Sequence, residues 1–82
     1  MQRPDPSSAY YKEFVRFQEK LRQKILALRE EHGYTQEDMT GFELSLRQYQ
    51  RMEQDATAIS SLWQTYKLAK AFGLRIDELL DV

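Results

Sequence analysis

Arg47 and Arg51 stand four residues apart in the run LRQYQRMEQ, with Gln48, Gln50 and Gln54 around them. At i, i+4 spacing the two guanidinium groups share one side of a helix. A guanidinium can bond both O6 and N7 of guanine, and a carboxamide can read adenine. Leu46, at the head of the run, offers only apolar contact, for instance to a thymine methyl. These residue types in this pattern suit recognition of base edges. The same arginine pair on an arbitrary helix would be an ordinary solvated face, so its meaning depends on the elements that hold it.

Residues 35–54 read as two short helices joined by a tight turn. Thr35 begins the first, with Asp38 three residues on as a shorter stand-in for the capping-box glutamate. Met39 and Phe42 face inward, and Gly41 and Glu43 mark the turn. Ser45 caps the next helix, residues 45–53, whose inward positions are Tyr49 and Met52. Free N–H groups and the positive dipole end at Thr35 and Gln36 would suit a phosphate.

The rest of the chain supplies a scaffold. Residues 1–6 are polar and proline-rich, an expected loose tail. Ser7 or Ser8 is placed to cap a first helix. Apolar residues then fall at Tyr10, Phe14, Phe17, Leu21, Ile25 and Leu28, a helical stripe. It predicts one helix over about 8–32, or two with a bend near 19–21. Gly33 closes it in a left-handed conformation. Residues 55–58 read as a linker. Ser60 or Ser61 starts a further helix with Leu62, Thr65 or Tyr66, Ala69 and Phe72 inward and Gly73 at its end. Trp63 reads as a half-buried packing residue. Residues 76–80 form a last helical turn that plugs the core with Ile76, Leu79 and Leu80.

Composition bounds the possibilities. Eighty-two residues make a small core of modest stability. With no cysteine, neither a disulfide nor a thiolate metal site can help. A net charge of -1 gives no global pull toward nucleic acid. No apolar run approaches a membrane span, so no membrane association and a cytoplasmic location are expected. His32 sits near a helix C-terminus, where it reads as structural or solvated. Without a nucleophile–base set the chain does not read as an enzyme, and no metal or cofactor is expected.

Order and spacing of these helices resemble the phage-repressor-type helix-turn-helix family (Cro-like, or xenobiotic-response-element type). The resemblance covers residues 21–82. It is carried by ILALREE at 25–31, GYTQEDM at 33–39, Leu44-Ser45, YQRME at 49–53, YKLAKAFGL at 66–74 and IDELL at 76–80. It implies a second helix lying across the DNA backbone and a third in the major groove. By matching positions it implies base contacts from Leu46, Arg47 and Arg51, with Gln50 a further candidate. Backbone contacts fall to Gln36 and Gln54, with Thr35 and Gln48 beside them. Arg29 and Glu53 match positions that form a structural ion pair. The sequence also departs from the pattern. The turn is one residue short of the commonest form, and the glycine that the shorter subtype carries where Glu43 stands is displaced here to Gly41. Thr40 replaces a small alanine. Glu30, Glu31, Glu37, Asp38 and Glu43 carry five negative charges with no base between them.

The expected fold is therefore all-α. It is a compact bundle of about five helices with a central helix-turn-helix at 21–82, preceded by an N-terminal helical extension within 1–20. The expected function is sequence-specific, operator-occupying regulation of transcription on palindromic double-stranded DNA, in a prokaryotic or phage setting. A homodimer is expected, with Tyr10, Phe14 and Phe17 as a candidate dimer surface. The other reading is a protein-interaction module on the same fold, such as an antitoxin bound to its toxin or an assembly partner.

Overall fold

In the computed structural model, residues 4–82 are described. The tail expected at 1–6 lies half outside them, and the rest of it enters a tight polar turn. Asp5 Oδ1 accepts from the Ser7 N–H (3.0 Å) and the Ser7 hydroxyl (2.8 Å), and Ser8 Oγ accepts from the Tyr10 N–H (3.1 Å). Both serines are thus spent on the turn. Neither caps a helix, contrary to the sequence expectation, and helix α1 (Tyr11–Glu31) starts with no side-chain cap.

Helix α1 is a single uninterrupted element of 21 residues, about 32 Å long at 1.5 Å per residue. It is not broken at 19–21, and the boundary drawn at residue 20 falls inside it. Its buried face is Gln18, Leu21 and Ile25, with Phe17 and Leu28 packed against the core from its edges. The helix ends where Gly33 takes φ +70° and the Tyr34 N–H turns back to the Arg29 carbonyl at 3.0 Å. His32 Nδ1 donates to the Leu28 carbonyl (2.8 Å), and its ring lies 5.3 Å from Tyr34 and 5.4 Å from Phe72. It is a packing residue.

Residues Glu37–Phe42 form a six-residue 3-10 segment rather than the expected α-helix. The local chemistry explains this. Thr35 and Asp38 bond reciprocally at its start, and the Thr40 hydroxyl donates to the Glu37 carbonyl (2.7 Å), competing with α-helical pairing. Gly41 adds little helix propensity. Met39 is fully buried.

Helix α2 (Leu46–Gln54) is capped by Ser45, whose Oγ accepts from the Gln48 N–H at 3.1 Å. Tyr49 and Met52 point into the core. The expected linker contains a further 3-10 turn, Ala56–Ala58, held by Asp55 Oδ1 accepting from the N–H and hydroxyl of Thr57. It delivers Ala56 and Ile59 to the core.

Helix α3 (Leu62–Ala71) is capped by Ser61 through the Gln64 N–H (3.3 Å). Its buried face is Thr65, Leu68, Ala69 and Ala71, continued by Phe72, and Gly73 follows at φ +67°. Here the inward phase expected from the sequence is wrong at its first position. Leu62 is 72% exposed and Leu68 is fully buried in its place. Trp63, expected half-buried, is 63% exposed, and Tyr66 also faces out. Helix α4 (Ile76–Leu80) brings Leu79 into the core, with Ile76 and Leu80 at its margin.

The result is an all-helical bundle with no strand among the described residues. Helix α1 packs against α2, the 56–58 turn and α4, while α3 packs against α4 and the 3-10 segment. Two polar anchors join distant parts of the chain. Buried Gln18 donates to the Ile59 carbonyl (2.9 Å), and Lys24 donates to the carbonyls of Glu78 and Asp81. Among the described residues, no helix is long and apolar enough to cross a membrane.

Candidate nucleic-acid interface

Helix α2 divides its residues cleanly. Tyr49 and Met52 are buried, whereas Arg47, Gln48, Arg51 and Gln54 are exposed, and Leu46 and Gln50 lie between. Arg47 and Arg51 thus share the solvent side with two carboxamides. The one acid in the helix, Glu53, points the other way. The outward face is therefore cationic and rich in bidentate donors, without an acid of its own.

What turns Glu53 inward is Arg29 of α1. Its Nε and Nη2 reach Glu53 Oε2 and Oε1 at 2.5 and 3.3 Å, and Nη1 donates to the Tyr34 carbonyl at 2.9 Å. The two side chains are only 16% and 7% exposed. Burial alone would push the Glu53 carboxyl up. The Arg29 guanidinium first, then the Tyr49 hydroxyl and the Gln36 amide, outweigh it and hold the carboxyl below its ordinary value. The Arg29 guanidinium is raised, first by its bond to Glu53. Arg22 adds a bond to the Glu53 carbonyl (3.0 Å), so α1 grips the end of α2 at both side chain and backbone.

Gln36 extends this arrangement. Its Nε2 donates to Glu53 Oε1 (2.8 Å), and its Oε1 accepts from Gln50 Nε2 (3.1 Å). A chain of bonds runs Arg29–Glu53–Gln36–Gln50, from behind α2 to its margin. Gln36 was expected to address a backbone phosphate. It is instead tied to Glu53 and Gln50, with one amide hydrogen left over. Its main structural effect is to fix the Gln50 side chain.

The phosphate site expected at Thr35 is altered more. The Thr35 N–H donates to Asp38 Oδ2 (2.8 Å), while Thr35 Oγ1 accepts from the Asp38 N–H (3.2 Å). The chain's own carboxylate occupies the place foreseen for an outside anion. The segment behind it is short, and Glu37 and Asp38 both sit in its first turn.

The turn between the 3-10 segment and α2 settles the glycine question. Gly41 does not take a positive φ, and Glu43 does, at φ 63°, ψ 30°. The residue with the Cβ bears the left-handed conformation. Lys67 of α3 donates to the Glu43 carbonyl at 2.7 Å and so pins this turn. Glu30, Glu31, Glu37, Asp38 and Glu43 are all exposed and ring this side of the molecule with negative charge.

Beside the outward face of α2 opens a polar cleft of about 460 Å3. Gln48 and Arg51 of α2 line it together with Tyr11, Thr57, Ser60 and Gln64. No acid lines it. Sequence reading missed two residues that shape this region. Gln18 was hidden as a polar residue on an apolar stripe, and Ile59 fell between the linker at 55–58 and the next helix. An isolated isoleucine in a polar stretch was the available signal for the second.

Of the remaining residues singled out from sequence, Tyr10 is exposed, Phe14 is 36% exposed and stacks on Phe17 at 6.4 Å, and Phe17 is partly buried against the core. Among the described residues no group of three or more His, Asp or Glu side chains could hold a metal ion. Compared with protein-family models, curated proteins and solved structures, the chain matches none of them.

Proposed function

We propose that the protein is a sequence-specific DNA-binding regulator that inserts α2 into the major groove of its operator. The observation that carries this reading is the division of α2. Its solvent face presents Arg47, Gln48, Arg51 and Gln54, while its only acid is turned inward and neutralised by Arg29. Arg47 and Arg51 are assigned to guanine edges. Leu46 lies at the head of the helix for a thymine methyl. Gln50, held by Gln36, is oriented for a base at the margin. Gln48 and Gln54 flank this row for the phosphate backbone. The resemblance to Cro-like regulators supports the same assignment, and operator occupancy in the cytoplasm follows from it, with no cofactor.

Selection of bound duplexes from a random DNA pool tests the reading. A defined motif is expected. Arg47→Ala and Arg51→Ala should each weaken binding by ~1–3 kcal/mol and relax preference at one base position. Folded variants with unchanged affinity for the selected site would remove these roles.

A second reading has its own observation. The five exposed acids around the 3-10 segment would repel a DNA backbone, and they suit a basic protein partner such as a toxin. Charge reversal separates the two readings. DNA binding through α2 is lost with Arg47→Glu. Binding of a basic protein through the acidic rim is lost with Glu37→Lys and Asp38→Lys.

A further inference from the structure

The two edges of α2 have opposite surroundings. At about 100° per residue, Gln48 and Gln50 fall on opposite edges of the helix, with Arg47, Arg51 and Gln54 between them on the outward side. The Gln50 edge borders Gln36 and the 3-10 segment with its exposed acids. The Gln48 edge borders the polar cleft, which no acid lines. A helix seated in the major groove has a phosphate backbone along each side. On the Gln50 side that backbone meets Glu37 and Asp38, and the Thr35 N–H is already given to Asp38. On the Gln48 side it meets the cleft.

The cleft is lined by residues from three further parts of the chain: Tyr11 of α1, Ser60 of the loop after α2, and Gln64 of α3. Among the described residues, the Tyr11 and Ser60 hydroxyls and the Gln64 side-chain amide enter no hydrogen bond. The helix cap at Ser61 uses only the Gln64 backbone N–H. Arg51 has no ion pair among the described residues. The acids next along the chain, Asp5 and Asp55, each commit Oδ1 to a neighbouring N–H and hydroxyl. What remains is a set of uncommitted donors beside a guanidinium.

We propose that the cleft seats a backbone phosphate of the operator, and that Tyr11 and Gln64 donate to it beside Gln48 and Ser60. Tyrosine, serine and glutamine side chains are among the ordinary partners of phosphate oxygens, and such contacts position a protein without reading sequence. The proposal rests on the reading of α2 as the major-groove helix and adds a second element to it. Residues 11–20 precede the stretch that resembles Cro-like regulators, so the resemblance assigns them no DNA contact. The fold brings them there through Gln18. This residue lies two turns after Tyr11, on the same face of α1. It is buried, and its Nε2 donates to the Ile59 carbonyl (2.9 Å). That bond ties α1 to the loop carrying Ser60 and so holds Tyr11 and Ser60 at one opening. The N-terminal extension thus serves as a clamp on the backbone, on the side of α2 away from the acids.

The test uses the full chain with two duplexes: one selected from the random pool and an unrelated one of equal length. Tyr11→Phe keeps the ring and should weaken binding to both by about 3–10-fold, with base preference unchanged. Gln64→Lys should tighten both and steepen the salt dependence by roughly 0.9 in log–log slope, one added cation on a phosphate. Gln64→Glu should weaken both. Tyr66→Glu places the same charge about 200° around α3 and should do so far less. Ethylation of one phosphate in the selected duplex should hinder the parent chain strongly and the Tyr11→Phe chain less. Circular dichroism checks that helix content is equal throughout. Unchanged affinity in Tyr11→Phe overturns the proposal. So does a shift in its base preference, or equal weakening by Gln64→Glu and Tyr66→Glu. In those cases a selected motif that relaxes with Arg47→Ala or Arg51→Ala still upholds α2 as the reading helix. A chain that selects no duplex ends both.

Discussion

Arg29 on α1 grips both carboxylate oxygens of Glu53 on α2, two residues 24 apart in the chain, with little of either side chain left in water. This contact fixes the roll of α2 about its axis. Breaking it from one side leaves a buried charge without its counter-ion. Arg29→Met or Glu53→Leu should each cost about 3 kcal/mol, the range for removing one member of a buried pair. Urea unfolding checks this. The double replacement should cost less than the sum of the two.

The same pair gives stability a pH dependence. The Glu53 carboxyl is held below its ordinary value in the fold. Its contribution is thus complete above the unfolded glutamate value of about 4.3 and is lost as pH falls through the lower folded value. Glu19 and Asp55 are lowered too, chiefly by bonds from Arg22 and Thr57, but Glu19 is only half-buried and Asp55 exposed, so both add little. The midpoint of urea unfolding should fall with acid below about pH 4.3, and Glu53→Gln should flatten that fall.

Glu43 occupies a left-handed conformation that costs a residue with a Cβ about 1–2 kcal/mol. Glu43→Gly removes that cost and loses part of the gain to the freer unfolded chain, so a net stabilisation of roughly 0.5–1 kcal/mol is expected. The bond from Lys67 goes to the backbone carbonyl and survives the change. At Gly41 an added Cβ meets nothing within 4 Å and φ is not positive, so Gly41→Ala should stabilise by about 0.4–1 kcal/mol. Gly33→Ala and Gly73→Ala should do the reverse. Thermal melts of the four variants test the set.

Tyr49 is fully buried, and its hydroxyl faces the Glu53 carboxylate and the Arg29 guanidinium without meeting either in good hydrogen-bond geometry. Burial pushes its phenol well above the ordinary value. An unpaired buried hydroxyl costs about 1–3 kcal/mol. Tyr49→Phe removes the polar atom and keeps the ring, so the variant should be as stable as the parent or more so. A loss above ~1 kcal/mol would show that the hydroxyl is paired in solution.

Gln36→Ala separates positioning from contact. It cuts the bonds to Glu53 and Gln50 at once. On the proposed operator it should blur the base preference served by Gln50 and leave those of Arg47 and Arg51 in place. A uniform weakening on every sequence, with preferences unchanged, would return Gln36 to the backbone role.

Much of the architecture is legible in residue types. Ser45 and Ser61 cap the helices they precede, Gly33 and Gly73 end theirs, and the stripe from Phe17 to Leu28 faces the core. The outward set on α2 is legible too, because Tyr49 and Met52 fix the phase of a helix with few apolar residues. The failures have local causes. Helix α3 is apolar on more than one side, so Leu62 and Leu68 fit two phases equally well, and packing against the 3-10 segment and α4 chooses between them. Ser7 and Ser8 look like caps, but Asp5 draws that stretch into a turn. Thr35 and Gln36 look free for a phosphate because sequence does not show which partners their side chains find. The Arg29–Glu53 pair was implied by family resemblance alone; neither residue announces a partner 24 positions away.

Helix α1 has no break between its exposed first turns and the part that grips α2. Its amides should therefore exchange with solvent deuterium in a gradient and not in two blocks. Protection should be low near Lys12, rise through Gln18, where the bond to Ile59 begins to hold the helix, and peak between Leu21 and Leu28. The extension has no hinge of its own, so it can leave the body only by fraying inward from its first turn.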